Sequence, residues 1–311
     1  MRVVIFGGAG FLGKNISLYL AKCGYDVIVF DRVDSPKFSK SIGYFKGNFS
    51  DTEKAAEVIR EGDCILHLSW NSVPADGNSN IISCLNDDVI SSVRFFQKCV
   101  EKKVSKIIFL SSGGAIYGIP QYLPIDEKHI TAPTTAYGIN KFTVEKYLEL
   151  ITSKTDTKAF VIRLANIYGA FQRPFTRQGV VASFLASVLL DKSINIWGDG
   201  SAVRDYIYVD DLSRLIALIS DYNGDSAVYN VGSGVGCSVN DIIDVVEKVT
   251  GKTVEKTYSP SYAGDVGKNV LDCSKAFSEL GWKAQVSLDE GIKKMLDIWN
   301  PETEQFDKVE F

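Results

Sequence analysis

Histidine is almost missing from this chain: two residues, His67 and His129, in 311. The six cysteines, Cys23, Cys64, Cys84, Cys99, Cys237 and Cys273, are scattered and never spaced as C-x-x-C. No ligand spacing for a zinc site or redox pair results, so no metal is expected. Most of these cysteines sit in apolar or helical surroundings, which reads as buried free thiols in a reducing compartment. No apolar run approaches the length of a membrane span, and no leader with basic and apolar regions precedes the first strand-like residues. A cytoplasmic location is the default expectation. Positive charge is in slight deficit, 34 Lys+Arg against 38 Asp+Glu, for a net charge of −4. That balance gives no electrostatic footprint for nucleic acid or an anionic membrane. Internal repeats and low-complexity tracts are absent as well.

Hydrophobic residues make up 45% and charged residues 23%, ordinary values for a chain with a sizeable core. Short Val/Ile-rich runs at 2–6, 26–30, 63–68, 104–110 and 158–164 are nearly continuous, as in strands buried on both faces. Helical patterns at 11–23, 52–61, 80–103 and 135–154 separate them. Alternation of this kind builds βαβ units and a doubly wound parallel α/β sheet of Rossmann type. Beyond residue 165 the pattern loosens: helices over 178–191, 238–250, 273–280 and 287–299 and a strand over 227–231 are expected, with Ser238 capping the second helix. The expected division is a nucleotide-binding domain over 1–165, to which segments near 205–235 return, and a smaller C-terminal substrate-binding lobe over 166–311 with a frayed tail from 300.

The first strand runs into Gly7-Gly-Ala-Gly10-Phe11-Leu12-Gly13 and then a helix. Glycines at this spacing permit a tight turn and close approach of a pyrophosphate, whose charge the helix N-terminus stabilises. The second strand ends in Asp31, placed to bind both adenosine ribose hydroxyls and to repel a 2′-phosphate, which favours NAD over NADP; Arg32 follows it. Asn48, Phe49, Leu68, Ser69 and Trp70 are assigned to the same cofactor site, and Trp70, Asn71, Ser72, Val73 and Pro74 to the nicotinamide cleft at the carboxyl edge of the sheet. His67 reads as a core or cofactor-edge histidine, not a base. Phe95, Phe96, Phe142 and Tyr147 read as helix packing or a dimer face.

Tyr137 and Lys141 are spaced i, i+4 at the start of a helix and so share a face. A free tyrosine, with a pKa of about 10, is a poor base at neutral pH. A nearby ammonium and a positive nicotinamide would favour the phenolate. Ser111 and Ser112 end the preceding strand, where doubly wound sheets place ligands. With the glycine motif and Asp31, the segments Ser111-Ser-Gly-Gly-Ala-Ile-Tyr117-Gly118, Arg163-Leu-Ala-Asn166-Ile-Tyr-Gly169 and Gly198-Asp-Gly-Ser-Ala-Val-Arg204-Asp-Tyr-Ile-Tyr-Val-Asp-Asp211 give a resemblance covering nearly the whole chain. It resembles the extended short-chain dehydrogenase/reductases, in the sugar-nucleotide epimerase/dehydratase group, and within it the UDP-hexose 4-epimerase-like branch.

The resemblance implies Tyr137 as acid/base, Lys141 on the nicotinamide ribose, a serine or threonine near 111–113 on the reacting sugar oxygen, and Asn166 and Arg204 on the nucleotide diphosphate. It also implies pairing of the helices at 80–103 and 135–154 across a two-fold axis in a homodimer. The family's catalytic serine or threonine falls here on Gly113, so Ser112 or Ser111 takes that place. Asp88 stands where family members often carry Asn. Tyr262 stands where they often carry a diphosphate-binding arginine, a duty left to Arg173, Arg177 or Lys268. Phe171, Gln172 and Arg173 would frame the sugar or base. Related dehydratases and decarboxylases need acids at positions held here by Gly114 and Ala115, neither of which transfers a proton. What remains is oxidation, reduction or both in sequence. The expected function is NAD-dependent 4-epimerisation of a UDP-hexose or UDP-N-acetylhexosamine, for polysaccharide or O-antigen precursors. Reduction of a nucleotide-linked 4-keto-6-deoxyhexose and a non-catalytic NAD-sensing role are the alternatives.

Overall fold

A computed structural model describes residues 1–34, 38, 40–72, 78, 80–176, 178–260 and 266–299. Among them the main sheet has seven strands: β1 (Arg2–Phe6), β2 (Asp26–Asp31), β3 (Ile42–Lys46), β4 (Cys64–His67), β5 (Lys106–Ser112), β6 (Lys158–Leu164) and β10 (Ala227–Val231). Their order is β10-β6-β5-β4-β1-β2-β3, every pair parallel. The chain winds outward from β1 in both directions, so the order reverses between β1 and β4. In doubly wound sheets the ligand crevice lies outside the carboxyl ends of the strands at such a switch point.

Helices cover both faces. α1 (Phe11–Lys22) and α7 (Val209–Asp221) lie on one, where Ile16 and Leu20 pack with Leu212, Leu215, Ile216 and Ile219 against Val3, Ile5, Val27 and Val29. α2 (Thr52–Glu57), α4 (Ser91–Glu101) and α5 (Ala136–Thr152) lie on the other, burying Phe95, Phe96, Val144 and Leu148 against Val4, Phe6, Ile65, Ile107 and Phe109. Both faces being covered explains the near-continuous apolar runs of the inner strands.

The expected helix over 80–103 is three pieces. α3 (Ile81–Cys84) passes into a π-helical stretch, Leu85–Ile90, and then into α4. The Ser91 and Ser92 hydroxyls bond the carbonyls of Asn86 and Asp88, competing with the regular ladder.

The rest of the chain forms a second core. β7 (Asn166–Tyr168), β9 (Val203–Tyr208), β11 (Gly236–Ser238) and β13 (Lys268–Asn269) make a small sheet centred on β9, and β8 (Ile194–Trp197) pairs with β12 (Lys256–Ser259). α6 (Val180–Leu189), α8 (Val239–Thr250) and α10 (Leu288–Trp299) bury Leu185, Ile243, Val246, Ile292 and Met295 around Tyr168 and Tyr208. α9 (Ser274–Leu280) returns to the main sheet, where Tyr229 on β10 donates to Glu279 at 2.8 Å. Ser238 caps α8 in a reciprocal box with Asp241, as expected.

The small strands β7, β8, β9, β11, β12 and β13 went unread, as did β3 and α7. β3 is a short edge strand with a glycine and two exposed residues, so its apolar alternation is weak. α7 follows β9 with no intervening loop, so nothing in the sequence punctuates its start. The cysteines also differ from expectation. All six are free, but only Cys64 and Cys99 are buried, and Cys23 is exposed because it caps the solvent end of α1.

Candidate active site

The crevice begins at the β1–α1 turn. Gly7 has φ +83°, and a Cβ there would stand 2.8 Å from the Ser69 nitrogen and 2.9 Å from the Leu68 carbonyl carbon. Only glycine lets this turn lie directly on the segment after β4. α1 starts at Phe11 with Gly10 at its N-cap; no side chain caps it and no acid occupies its first turn. Its first N–H groups and the positive end of its dipole therefore face the crevice as an anion site. Phe11 and Leu12 pack onto the C-terminal core, and Asn15 donates to the Ala170 carbonyl at 2.7 Å. α1 thus joins the two parts of the chain.

Asp31 ends β2, and its carboxylate accepts from the Ala9 N–H at 2.9 Å and the Val33 N–H at 3.3 Å. The acid is thereby held against the glycine turn, and Arg32 beside it is exposed. A glycine cradle, an uncapped helix N-terminus and a carboxylate fixed at the end of β2 fit the pyrophosphate and adenosine ribose of NAD. Asn48 is exposed, its side-chain oxygen accepting from the Ser50 N–H at 3.2 Å. The Phe49 ring is taken up in an aromatic cluster, 4.7 Å from His67 and 5.0 Å from Phe95 between centroids. His67 is buried, its Nε2 3.0 Å from the Ser92 hydroxyl, and burial pushes its pKa down to about 3. It stays neutral at neutral pH.

Tyr137 and Lys141 lie on the first two turns of α5, which Thr135 caps by accepting from the Gly138 N–H at 3.1 Å. Lys141 is buried. Its ammonium donates to the Leu110 carbonyl at 2.8 Å and rests 3.7 Å from the centre of the Trp70 ring, 4.9 Å from Phe109 and 5.8 Å from Tyr137. Burial lowers its pKa to about 7, while the negative charges of Asp88 and Glu145 act in the opposite direction.

Burial, reinforced by Asp88, pushes the Tyr137 phenol up to about 12, and a hydrogen bond with Ser112 works against the rise. The expectation that Lys141 depresses the phenol is therefore not met by the chain alone. The ammonium points toward β5 and Trp70, and Asp88 contributes the opposing charge.

Ser111 and Ser112 pair in register with Arg163 and Leu164 on β6, and as neighbours on a strand they face opposite ways. Ser112 meets Tyr137. The Ser111 hydroxyl is buried without a partner. Gly113 brings no group to the site: a Cβ there would stand 2.6 Å from Leu271 Cδ1, so a side chain would be driven into the core. A Cβ at Gly114, by contrast, would stand 3.8 Å from the Asn166 side-chain oxygen and 4.0 Å from Ser112 Oγ, which locates those two groups together.

Arg204 lies on β9 between Cys237 on β11 and Asn269 on β13, and donates to its own neighbour's carbonyl, Val203, at 2.9 Å. Lys268 is one residue away in register. The carboxylate of Asp205 is used elsewhere, accepting from the N–H groups of Ser233, Gly234 and Leu271. Arg173 is exposed, while Phe171 and Gln172 are half-buried and buried beside it. Val73, Pro74, Arg177, Tyr262 and the tail from 300 lie outside the described residues.

Sequence reasoning missed Glu145 altogether and noted Asp88 only as a departure from the family's usual Asn. Glu145, two turns beyond Tyr137, pairs with Arg163 on β6 at 2.8 Å with both side chains buried. Asp88 is 1% exposed and accepts from the N–H groups of Asn71 and Ser72. The only signal for Glu145 was its i+4 spacing from Lys141.

Residues 3–232 match the model of the NAD dependent epimerase/dehydratase family. The chain belongs to this family. It is 34% identical to the UDP-glucose 4-epimerase of Thermotoga maritima, solved with UDP-glucose, covering 99% of both chains with a TM-score of 0.90. The Thermus thermophilus UDP-glucose 4-epimerase, solved with NAD, is 29% identical over 97% of this chain and 100% of that one, with a TM-score of 0.89. The dTDP-4-dehydro-6-deoxyglucose reductase of Escherichia coli is 31% identical over 94% of this chain and 96% of its own length. The protein is an NAD-dependent enzyme of the sugar-nucleotide epimerase type. Among the described residues no helix is long and apolar enough to cross a membrane.

Proposed function

We propose that this protein interconverts the carbon-four epimers of a UDP-hexose or UDP-N-acetylhexosamine, in the supply of polysaccharide precursors. One observation carries the reading: Tyr137 is assembled with Ser112 and Lys141 at the switch-point crevice, while Gly114 and Ala115 add no proton-transfer group. Bound NAD would supply the acceptor, and then the donor, of the carbon-four hydrogen. Tyr137 takes the proton of the 4-hydroxyl and gives it back to the same oxygen when the carbon-four hydrogen is returned to the opposite face of the ring. Ser112 holds the sugar oxygen and steadies the phenolate. Lys141, with its ammonium at the carboxyl end of β5, holds the nicotinamide ribose. Burial and Asp88 keep the phenol protonated in the chain alone; a cationic nicotinamide ring, when bound, would supply the missing attraction for the phenolate.

Gly7, Gly10, Gly13 and Asp31 would hold the cofactor with Leu68, Ser69 and Trp70. Asn166, Ser72 and Arg204, aided by Arg173 or Lys268, would hold the nucleotide sugar; a guanidinium pairs with phosphate oxygens in a fork geometry. Ile81, Ile82, Ile90, Ile139, Tyr147 and Leu150 are exposed on the helices α3 to α5, and this apolar face supports a homodimer. A cytoplasmic location suits such an enzyme.

The E. coli reductase relative favours a second reading, reduction of a dTDP-linked 4-keto-6-deoxyhexose with NADH. It would use the same Tyr137 and Lys141. The deciding experiment incubates the purified protein separately with UDP-glucose and UDP-N-acetylglucosamine, without added cofactor, and resolves the products by chromatography. Formation of the 4-epimer with no net NADH supports epimerisation. Absence of conversion, together with NADH consumption on a dTDP-4-keto-6-deoxyhexose, moves the assignment to the reductase. Turnover surviving in Tyr137→Phe contradicts both.

A further inference from the structure

Asp88 is a carboxylate buried where packing disfavours charge. It is 1% exposed and lies on the π-helical stretch beside the buried Val89. Short π-helical segments are rare and tend to occur where a helix is shaped for a site. The Asp88 oxygens accept from the N–H of Asn71 at 2.8 Å and of Ser72 at 3.1 Å, both in the segment after β4. The Ser72 hydroxyl accepts in turn from the Trp70 indole at 2.8 Å. Trp70 carries the Lys141 ammonium on its ring at 3.7 Å and meets Tyr137 edge-on at 6.3 Å. Contacts therefore run without a break from Asp88 through residues 70–72 to the pair on α5.

A buried charge needs a partner of opposite sign, and two N–H dipoles supply hydrogen bonds but no formal charge. The groups facing Lys141 are Asp88, Glu145, His67, Tyr137 and the Leu110 carbonyl. Glu145 is already paired with Arg163. His67 is neutral and bonded to Ser92.

We propose that Asp88 is a positioning residue for Tyr137 and Lys141: it fixes the 70–72 segment as the wall on which the ammonium rests, and it is the countercharge that favours the ammonium over the neutral amine against the cost of burial. In this arrangement Asp88, Lys141 and the neutral phenol sum to zero charge. Withdrawing the carboxylate leaves a lone buried cation, and the first proton leaves the Tyr137–Lys141 pair more easily, whichever residue gives it up.

This rests on the reading of that pair as catalytic, but its test needs no substrate. The protein is produced with lysine labelled at the ε-carbon, and the ε-methylene resonances are followed by NMR as pH is raised. The Lys141 signal is the one lost in Lys141→Met. In the wild type its midpoint falls near 7. In Asp88→Asn and Asp88→Ser the midpoint falls by about one unit or more. A folded neutral variant with an unchanged midpoint overturns the proposal, since a purely structural Asp88 would lower thermal stability and leave the titration where it was. Should neither neutral variant fold, Asp88→Glu decides: a midpoint at or above the wild-type value supports the countercharge, and one below it overturns it. Failure of the protein to turn over UDP-glucose leaves these outcomes intact.

Discussion

Replacing Lys141 with methionine should abolish turnover and yet stabilise the fold. The side chain is 6% exposed, and burial holds its ammonium at about 7, against about 10.4 for lysine in the unfolded chain. The folded pKa is the lower one, so between these values the unfolded chain binds a proton that the folded chain lacks. Wild-type stability therefore rises with pH across that window and is lowest below it. At 1.36 kcal/mol per unit, the window amounts to roughly 4–5 kcal/mol.

Methionine fills a similar volume and never ionises. It gives up the hydrogen bond to the Leu110 carbonyl, worth about 1 kcal/mol net. Lys141→Met should thus be about 3 kcal/mol more stable than wild type at neutral pH, with the advantage fading as pH approaches the ordinary lysine value. Urea unfolding followed by tryptophan fluorescence, repeated at successive pH steps from neutrality upward, measures this directly. Parallel stability curves for the two proteins, or a variant weaker at neutral pH, would refute a strained buried ammonium. The expected pattern is the exchange of stability for function often seen at active sites.

Ser112→Ala should lower kcat by about 100-fold, as loss of a preorganised donor does, while Ser111→Ala, which removes a partnerless buried hydroxyl, should leave kcat unchanged and stability equal or higher; steady-state assays and melting curves of both variants check this. Gly113→Ser should cost about 1–3 kcal/mol through overpacking against Leu271, 2.6 Å from the new Cβ, and should not raise kcat. Rate gain with unchanged stability would show that residue 113 faces the sugar. Glu145→Ala strands the buried Arg163 guanidinium and should destabilise by about 3–5 kcal/mol in chemical denaturation.

The main sheet was legible because strands covered on both faces must be continuously apolar, and β1, β2, β4, β5 and β6 obey that rule. β3 escaped because an edge strand carries a weaker pattern, and α7 because Tyr208 passes into it without a break. Tyr137 and Lys141 were legible because a helix puts i and i+4 on one face. The direction of the Lys141 ammonium was not: it depends on where Trp70 stands, and Trp70 depends on Ser72 and Asp88, a contact chain that joins a loop to a helix and has no local spacing. The choice of Ser112 over Ser111 came from strand alternation together with the position of α5, which only the packed structure supplies. Gly113 was read as a lost hydroxyl; with Leu271 against it, that position has no room for one.

The most direct test of the central claim follows the hydrogen at carbon four. UDP-glucose carrying deuterium at that carbon is incubated with the enzyme in ordinary water, and the isolated UDP-galactose is analysed by mass spectrometry. Oxidation and return at one carbon, with Tyr137 handling only the hydroxyl proton, predicts that product keeps its deuterium in full. Product that has exchanged deuterium for solvent hydrogen would contradict the account, since it would require a carbon-bound proton to be removed by a base in the site.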